Sequence, residues 1–426
     1  MSYTYPHQLE IIPTSGPVIG NRTPPGSKSL TNRALILAAL SGHPVQLTGC
    51  LESEDTAVLL DSLSRLGYRV GVEQSCENGP TFHVEPGDPV DSAELFVGNS
   101  GTTVRFLTAL LALRPGSFRL DGVPRMRERP IGDLLEALRH LGVGAEAPTG
   151  CPPVTIHGGG WRGGLVPVRA DVSSQFLSGL LLAAPFAPCP VTTFQIEGPV
   201  VSEPYIAMTL ALLRQWGLLV EGLTVPGRQR TTLTRYAIEP DASAASYLFA
   251  VAAITAGRVT VPGLTRASLQ GDVAFVDALA AMGCSVKSSD SGITVHGGPL
   301  HGIDIDMNAI SDTVMTLAVV ALFAQGPTHI RNVAHIRHKE TDRIAALATE
   351  LRRLGAGVEE RADGLSVYPA PLRGATVQTY QDHRMAMSLA LVGLRIPGVV
   401  IDDPGCVAKT YPGFFEDLHT LVTGAS

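Results

Sequence analysis

The sequence predicts an α/β protein of two domains, each built from three copies of one unit. Two recurrences carry that reading. The motif L-x-x-[LMW]-G occurs at Leu63 to Gly67, Leu138 to Gly142, Leu213 to Gly217, Leu279 to Gly283 and Leu351 to Gly355, and Leu418 to Leu421 matches without its glycine. Successive first leucines are 75, 75, 66, 72 and 67 residues apart. A second stretch, apolar on nearly all sides and opened by small polar residues, recurs with the same period, starting near Ser27, Ser100, Ser173, Ala242, Asp312 and Asp382.

Each L-x-x-L-G copy ends an amphipathic run such as Leu134 to Leu141, so it predicts a helix with one charged face, stopped by a glycine suited to the left-handed conformation. The other series predicts helices buried all round. Short alternating runs follow each stop: Tyr68 to Glu73 with Thr81 to Val84, Val154 to His157, Ile293 to His296 and Leu365 to Tyr368. The repeated unit is therefore a buried helix, a strand, an outer helix and two strands. The sixth unit runs out of chain, and the unpaired run Leu9 to Ile12 is placed to supply its missing strand. Units of this length exceed the roughly 20 to 45 residues of a solenoid repeat, so two domains of three units are expected. Pro and Gly punctuation puts the crossings at Thr23 to Gly26 and Glu239 to Asp241. One domain then comprises residues 1–25 with 241–426, and the inserted domain residues 26–240. Two crossings imply a hinge, with a cleft that closes on ligand.

Composition narrows the function. The 426 residues are 45% hydrophobic and 17% charged with a net charge of -7, which fits a globular chain and argues against general nucleic-acid binding. The longest apolar run, Leu317 to Ala324, is far below a membrane span, and Met1 to Gln8 lacks a signal peptide's features. A cytoplasmic protein is expected. Cys50, Cys76, Cys151, Cys189, Cys284 and Cys406 form no CxxC pair, so reduced thiols are expected rather than a zinc site or disulfides. His335 and His338 lack a third ligand at metal spacing, and no motif calls for a metal or an organic cofactor. No pattern signals a partner surface, which leaves a monomer as the default.

The polar residues that stand out fall at the starts of the buried helices or in loops beside them. Pro25 to Arg33 sets capping hydroxyls and two cations, Lys28 and Arg33, where a helix dipole already favours an anion. The standard P-loop pattern is absent. Gly98 to Thr103 offers backbone amides, with Arg105 in the following turn, and Asp171 to Gln175 offers hydroxyls and an amide. Further clusters are Arg125 to Pro130, Arg337 to Arg343, Asp382 to Met387 and Ala408 to Thr410. Singly each reads as solvated charge or an ordinary cap; their recurrence at one structural position points to an anionic ligand.

The strings PPGSKSLTNRALILAAL, GNSGTTVRFL, RMRERPIG, SSQFLSGLLLAAP, VSEPY, KETDRI, DHRMAM and AKTYPGFF stand in this order. With them the chain resembles the 5-enolpyruvylshikimate-3-phosphate synthase family over essentially its whole length. The resemblance implies two domains of three βαβαββ repeats around buried helices, a pseudo-threefold inside-out α/β barrel, with the active site in the interdomain cleft. It implies transfer of the enolpyruvyl group of phosphoenolpyruvate to the 5-hydroxyl of shikimate 3-phosphate, with release of phosphate, in aromatic amino acid biosynthesis.

By the same resemblance, Lys28, Ser29, Arg33, Ser173, Ser174, Gln175, Ser202, Tyr205, Asp312 and Lys339 hold shikimate 3-phosphate. Lys28, Gly101, Arg129, Gln175, Arg343, Arg384 and Lys409 hold phosphoenolpyruvate. Asp312 is implied as the base and Glu340 as the acid, with Lys28 assisting. A glutamate between Lys339 and Arg343 favours its ionised form, so the acid role needs help from burial or substrate charge. Two positions depart from the family pattern. His335 stands where many members have Asn, and Phe106 where the best-known members have Pro, which with Gly101 predicts intermediate sensitivity to glyphosate. The related transferase acting on UDP-N-acetylglucosamine has Lys-Asn in place of Lys28-Ser29 and a lid cysteine, and no Cys lies between Gly101 and Arg129. The other alternative is a non-catalytic anion-binding homologue on the same scaffold; retention of Lys28, Asp312 and Glu340 argues against it.

Overall fold

A computed structural model describes residues 3–74 and 79–424. Cys76 lies outside the described residues. The chain forms two compact units, one made of residues 26–238 and the other of the segments up to Pro25 and from Glu239 onward. Glu239 and Pro240 go with the latter because Gln270 donates to the Glu239 carboxylate and the Pro240 carbonyl, while the Asp241 amide donates to the Pro25 carbonyl.

Among the described residues, twelve α-helices alternate between two roles. The first unit contains α1 (Lys28–Leu40), α2 (Glu54–Arg65), α3 (Gly101–Leu111), α4 (Gly132–His140), α5 (Ser174–Ala183) and α6 (Pro204–Gln215). The second contains α7 (Ala242–Thr255), α8 (Phe275–Ala281), α9 (Val314–Ala321), α10 (Arg343–Arg353), α11 (His383–Gly393) and α12 (Phe414–Thr423). All of α3, α7, α9 and α11 is buried, and α1 and α5 nearly so. Within each unit the three odd-numbered helices pack on one another. Since each is apolar all round, a shared centre is the arrangement that removes every face from water. The even-numbered helices bury only one side, as α4 does with Leu134, Leu135, Ala137 and Leu138.

The L-x-x-L-G motif closes its helix with the same pair of hydrogen bonds five times. The amide after the glycine donates to the carbonyl of the first leucine, as Tyr68 does to Leu63 and Ala356 to Leu351, and the glycine amide donates three residues back. This is the Schellman cap, and it requires the positive φ of 73° to 110° found at Gly67, Gly142, Gly217, Gly283 and Gly355. The sixth helix does have its glycine, displaced to Gly424 at φ 67° because α12 runs on past Leu421.

Among the described residues the strands form six sheets, three in each unit. In Ser92–Phe96, Gly116–Asp121, Val154–Gly158, Gly144–Glu146, the strands before and after α3 pair in parallel and an antiparallel hairpin completes the sheet. The same plan holds around α9, with Asp304–Asp306, Thr328–Arg331, Gly364–Tyr368 and Gly357–Arg361. Around α5 the sheet has three strands, Gly164–Arg169, Val191–Glu197 and Thr224–Pro226. Around α11, Thr376–Val377 and Val399–Asp402 are joined by Gln8–Ile11, so the N-terminal run supplies the strand the sixth repeat lacks.

At α1 and α7 the leading strands are exchanged. Ile19–Asn21, which precedes α1 in sequence, pairs with Arg258–Pro262 after α7; Arg235–Ala237, which precedes α7, pairs with Val45–Thr48 after α1. The chain thus leaves each unit just after contributing a strand to a sheet there.

Candidate functional site

In each unit the starts of the three central helices are tied to one another by polar side chains. In the unit of residues 26–238, Asn32 of α1 donates to Thr102 of α3 at 2.7 Å and Arg105 of α3 donates to Gln175 of α5 at 2.7 Å. Ser27, Ser100 and Ser173 cap α1, α3 and α5 through their hydroxyls, accepting from the amides of Leu30, Thr103 and Gln175. Arginine has donors only, so Gln175 turns its carbonyl oxygen to Arg105 and keeps its NH2 group for other partners.

Lys28 opens α1, with its ammonium 3.3 Å from the Asp55 carboxylate at the start of α2; the two side chains are 12% and 4% exposed. Asp55 reads in the sequence as an acidic residue complementing its own helix dipole. Only the fold brings it to Lys28.

Arg33 is fully buried. Its guanidinium donates to four neutral oxygens, Thr209 Oγ1 at 2.8 Å, the Ser29 carbonyl at 3.0 Å, the Tyr205 carbonyl at 3.3 Å and Ser178 Oγ at 3.4 Å, and it lies over the Phe106 and Tyr205 rings. Burial pulls its pKa down to about 10, which still leaves it charged at neutral pH. Neutral partners do not cancel that charge, so the surroundings of α1 keep a positive potential. For Arg33 to touch a ligand directly, one of these bonds must be exchanged. Phe106, fully buried, packs on Arg33 and meets α5 at Gly179. Ser202, buried with φ 52°, accepts from the Tyr205 amide at the start of α6.

Arg129 is buried and donates to the Asn99 carbonyl at 2.9 Å. Its guanidinium crosses α3 so closely that a Cβ on Gly101 would stand 2.4 Å from Nη2. Gly101→Ala is therefore expected to displace Arg129 while leaving the fold intact, since the clash is with the end of a flexible side chain. Alanine in place of helical glycine adds up to about 1 kcal/mol of stability. A displaced charged hydrogen bond worth about 1.5–3 kcal/mol raises KM for an anion held by Arg129 by about 10-fold or more. Thermal unfolding and steady-state kinetics check this: stability unchanged or higher together with weaker anion binding is the expected pair.

The second unit concentrates charge at the starts of α9, α10 and α11. Asp312 lies in a 3-10 segment, Asn308–Thr313, kinked at Ile310, so α9 begins at Val314, two residues beyond Asp312. Its carboxylate, 15% exposed, meets Arg384 at 2.7 Å, Arg343 at 3.2 Å and Lys339 at 3.6 Å. Arg343 is buried against three carboxylates: Glu340 at 2.7 Å, Asp382 at 2.8 Å and Asp312. Burial pulls its pKa down, and the charges of Asp382, Glu340 and Asp312 outweigh that and raise it. Asp382 caps α11 by accepting from the Arg384 amide at 2.9 Å, and Arg384 reaches Tyr247 of α7 at 3.5 Å. Lys409 is buried in the 3-10 segment Pro404–Lys409. Tyr247 escapes the sequence reading because its partner Arg384 lies 137 residues away, and Asp382, which stands out there only with its cluster Asp382 to Met387, meets Arg343 across 39 residues.

His335 is buried, and burial, then the charges of Lys339 and Arg343, push its pKa down to about 3. At neutral pH it is an uncharged imidazole.

Asp272 is buried and accepts a hydrogen bond from Ser243 in the first turn of α7. Burial, then the charge of Asp312, raise its pKa to about 6, against the opposing effects of Ser243 and Arg384. A carboxyl whose pKa is raised on folding contributes stability that is complete below about pH 4 and lost as pH rises through about 6. Asp272→Asn is thus expected to flatten the fall in unfolding free energy between pH 4.5 and 7.5, by an amount on the order of 2–3 kcal/mol. Parallel denaturant-unfolding curves for variant and parent across that range would refute it.

Among the described residues no group of three or more His, Cys, Asp or Glu side chains is arranged to hold a metal ion, and no helix is long and apolar enough to cross a membrane. Cys50, Cys151, Cys189, Cys284 and Cys406 are free thiols.

Comparison with known proteins agrees with this picture. The family model of EPSP synthase (3-phosphoshikimate 1-carboxyvinyltransferase) matches residues 12–418. A 3-phosphoshikimate 1-carboxyvinyltransferase of Nostoc punctiforme is 48% identical over 422 residues, covering 97% of this chain and 99% of the relative. One from Aliivibrio salmonicida is 46% identical over 412 residues, covering 93% and 95%. The solved EPSP synthase of Acinetobacter baumannii superposes with a TM-score of 0.80 at 25% identity, covering 97% of this chain and 98% of that one. Similarity of sequence and fold at this coverage takes in both units and every charged helix start described above, and the chain accordingly belongs to the EPSP synthase family.

Proposed function

We propose that Asp312 is the general base of this enzyme and that phosphoenolpyruvate itself activates it. The enzyme transfers the enolpyruvyl group of phosphoenolpyruvate to shikimate 3-phosphate and releases phosphate, a step of aromatic amino acid biosynthesis. Chemically, the methylene carbon of phosphoenolpyruvate takes a proton to become a methyl group, the 5-hydroxyl adds to the neighbouring carbon as it loses one, and the tetrahedral adduct then loses a methyl proton together with phosphate to restore the vinyl group. An acid and a base are needed.

The observation that carries the proposal is the grip of Arg343, Arg384 and Lys339 on Asp312. A carboxylate held by three cations is a poor base. When the carboxylate and phosphate of phosphoenolpyruvate take over Arg343 and Arg384, with Lys409, Asp312 is released from two of its cations and gains basicity beside the hydroxyl it must deprotonate. Glu340, hydrogen-bonded to the same Arg343, feels the same exchange, and with that cation engaged by substrate its carboxyl holds a proton more readily. This supports its role as acid, assisted by Lys28.

The resemblance also assigns Lys28, Gly101, Arg129 and Gln175 to phosphoenolpyruvate. Lys28 and Gln175, with Ser29, Arg33, Ser173, Ser174, Ser202 and Tyr205, serve shikimate 3-phosphate together with Asp312 and Lys339. Arg33 acts mainly through its uncancelled charge, and helix starts capped by Ser27, Ser100 and Ser173 add dipoles of the same sign. Intermediate glyphosate sensitivity accompanies this reading: Gly101 leaves Arg129 its room, and the Phe106 ring sets the packing of α3 on Arg33. An inhibition constant unchanged in Phe106→Pro would remove that part.

The direct test is phosphate release from phosphoenolpyruvate with shikimate 3-phosphate, with UDP-N-acetylglucosamine, and with neither. Release is expected in the first case only. Release with the UDP-sugar alone, or in none of the three, contradicts the reading.

A further inference from the structure

We propose that Glu350 is a positioning residue of the phosphoenolpyruvate site, acting through the left-handed turn Thr379 to Asp382. The proposal rests on the assignment of Arg343 and Arg384 to phosphoenolpyruvate.

Glu350 lies on α10, seven residues after Arg343 and so on the same face of the helix, and it is 0% exposed. A carboxylate so buried must be hydrogen-bonded to be tolerated. Its Oε2 accepts from the Gln378 amide at 3.1 Å, and its Oε1 accepts from the Tyr380 hydroxyl at 2.7 Å. Arg353, 45% exposed, completes the set at 2.9 Å. Two of the partners, Gln378 and Tyr380, therefore belong to a single short stretch of chain.

That stretch is strained. The Asp382 amide donates to the Thr379 carbonyl at 2.9 Å, closing a turn whose central residues, Tyr380 and Gln381, have φ of 55° and 54°. Two successive left-handed positions suit Asn-Gly, and both are unfavourable for Tyr and Gln. The conformation persists only if its surroundings over-determine it, and such strain gathers at functional segments. The last residue of the turn is Asp382, which accepts from Arg343 at 2.8 Å and caps the Arg384 amide. Glu350 holds the turn, the turn sets Asp382, and Asp382 aims the Arg343 guanidinium and fixes the start of α11 at the Arg384 amide. The sequence gives no hint of this, because Glu350 sits beside Leu351, Arg352 and Arg353 and reads as part of a solvated helix face.

The test combines steady-state kinetics with thermal unfolding. Glu350→Ala is expected to raise KM for phosphoenolpyruvate about 10-fold or more, the loss of a charged hydrogen bond, with shikimate 3-phosphate affinity within about 2-fold of the parent. Adding Tyr380→Asn and Gln381→Gly, which makes the turn intrinsically favourable, is expected to restore most of that KM. Glu350→Gln is expected to stay within about 3-fold, since its amide oxygen can accept from Gln378 while its NH2 donates to the Tyr380 oxygen. Tyr380→Phe, which removes one bond at a partly exposed site and leaves folding safe, is expected to raise KM to a smaller extent. A folded Glu350→Ala protein with unchanged KM overturns the proposal. So does a turn replacement that recovers melting temperature but not KM, which would assign Glu350 to stability alone. Arg384→Ala, measured alongside, separates the two failures: an unchanged KM there removes the assignment of phosphoenolpyruvate to Arg384 and the proposal with it.

Discussion

Asp312→Ala is expected to lower turnover by about 10^2- to 10^4-fold, the range for loss of a general base. Shikimate 3-phosphate binding remains measurable in this variant. The sign of the effect on phosphoenolpyruvate separates catalysis from binding. Arg384, Arg343 and Lys339 lose an anion that competes for them, so affinity for phosphoenolpyruvate holds or rises while turnover collapses. Were Asp312 only a strut for the arginines, its loss would weaken phosphoenolpyruvate binding and leave the rate at saturation little changed. Near-parental turnover refutes the base assignment.

Lys28→Ala is expected to reduce kcat/KM by about 10^2- to 10^3-fold, the effect of removing one donor that meets developing charge. Folding suffers far less. Asp55 loses its ammonium partner, which destabilises, but a cation is also removed from the N-terminus of α1, where the dipole disfavours it by about 0.3–1 kcal/mol. The two effects oppose each other. A melting temperature within a few degrees of the parent, with activity nearly gone, is the expected pair of readings. Activity that falls only in proportion to the folded fraction would make Lys28 structural.

The fold is legible in the sequence where a local cause repeats. Five Schellman caps need a glycine at one offset from a leucine, so the outer helices announce themselves, and the serines that cap α1, α3 and α5 mark the buried ones. The exchanged strands do not announce themselves. Ile19–Asn21 and Arg235–Ala237 are three residues long, too short to alternate, and their partners lie far along the chain. The candidate site divides in the same way. Lys28, Gln175, Asp312 and Arg384 stand at helix starts, where small polar residues interrupt apolar runs. Asp55 and Glu350 belong to outer helices, where a carboxylate is ordinary, and their importance comes from side chains met only in three dimensions.

Addition followed by elimination at one carbon leaves an isotopic trace, and reading it tests the account at its centre. With phosphoenolpyruvate and shikimate 3-phosphate in D2O, the methylene carbon takes a solvent deuteron to become a methyl group and then gives up one of three hydrogens. Mass spectrometry of the product is expected to find deuterium in its vinyl methylene, formed together with an equivalent of free phosphate. Product without deuterium, or phosphate moved onto shikimate 3-phosphate instead of released, would contradict protonation at carbon and the acid and base roles built on it.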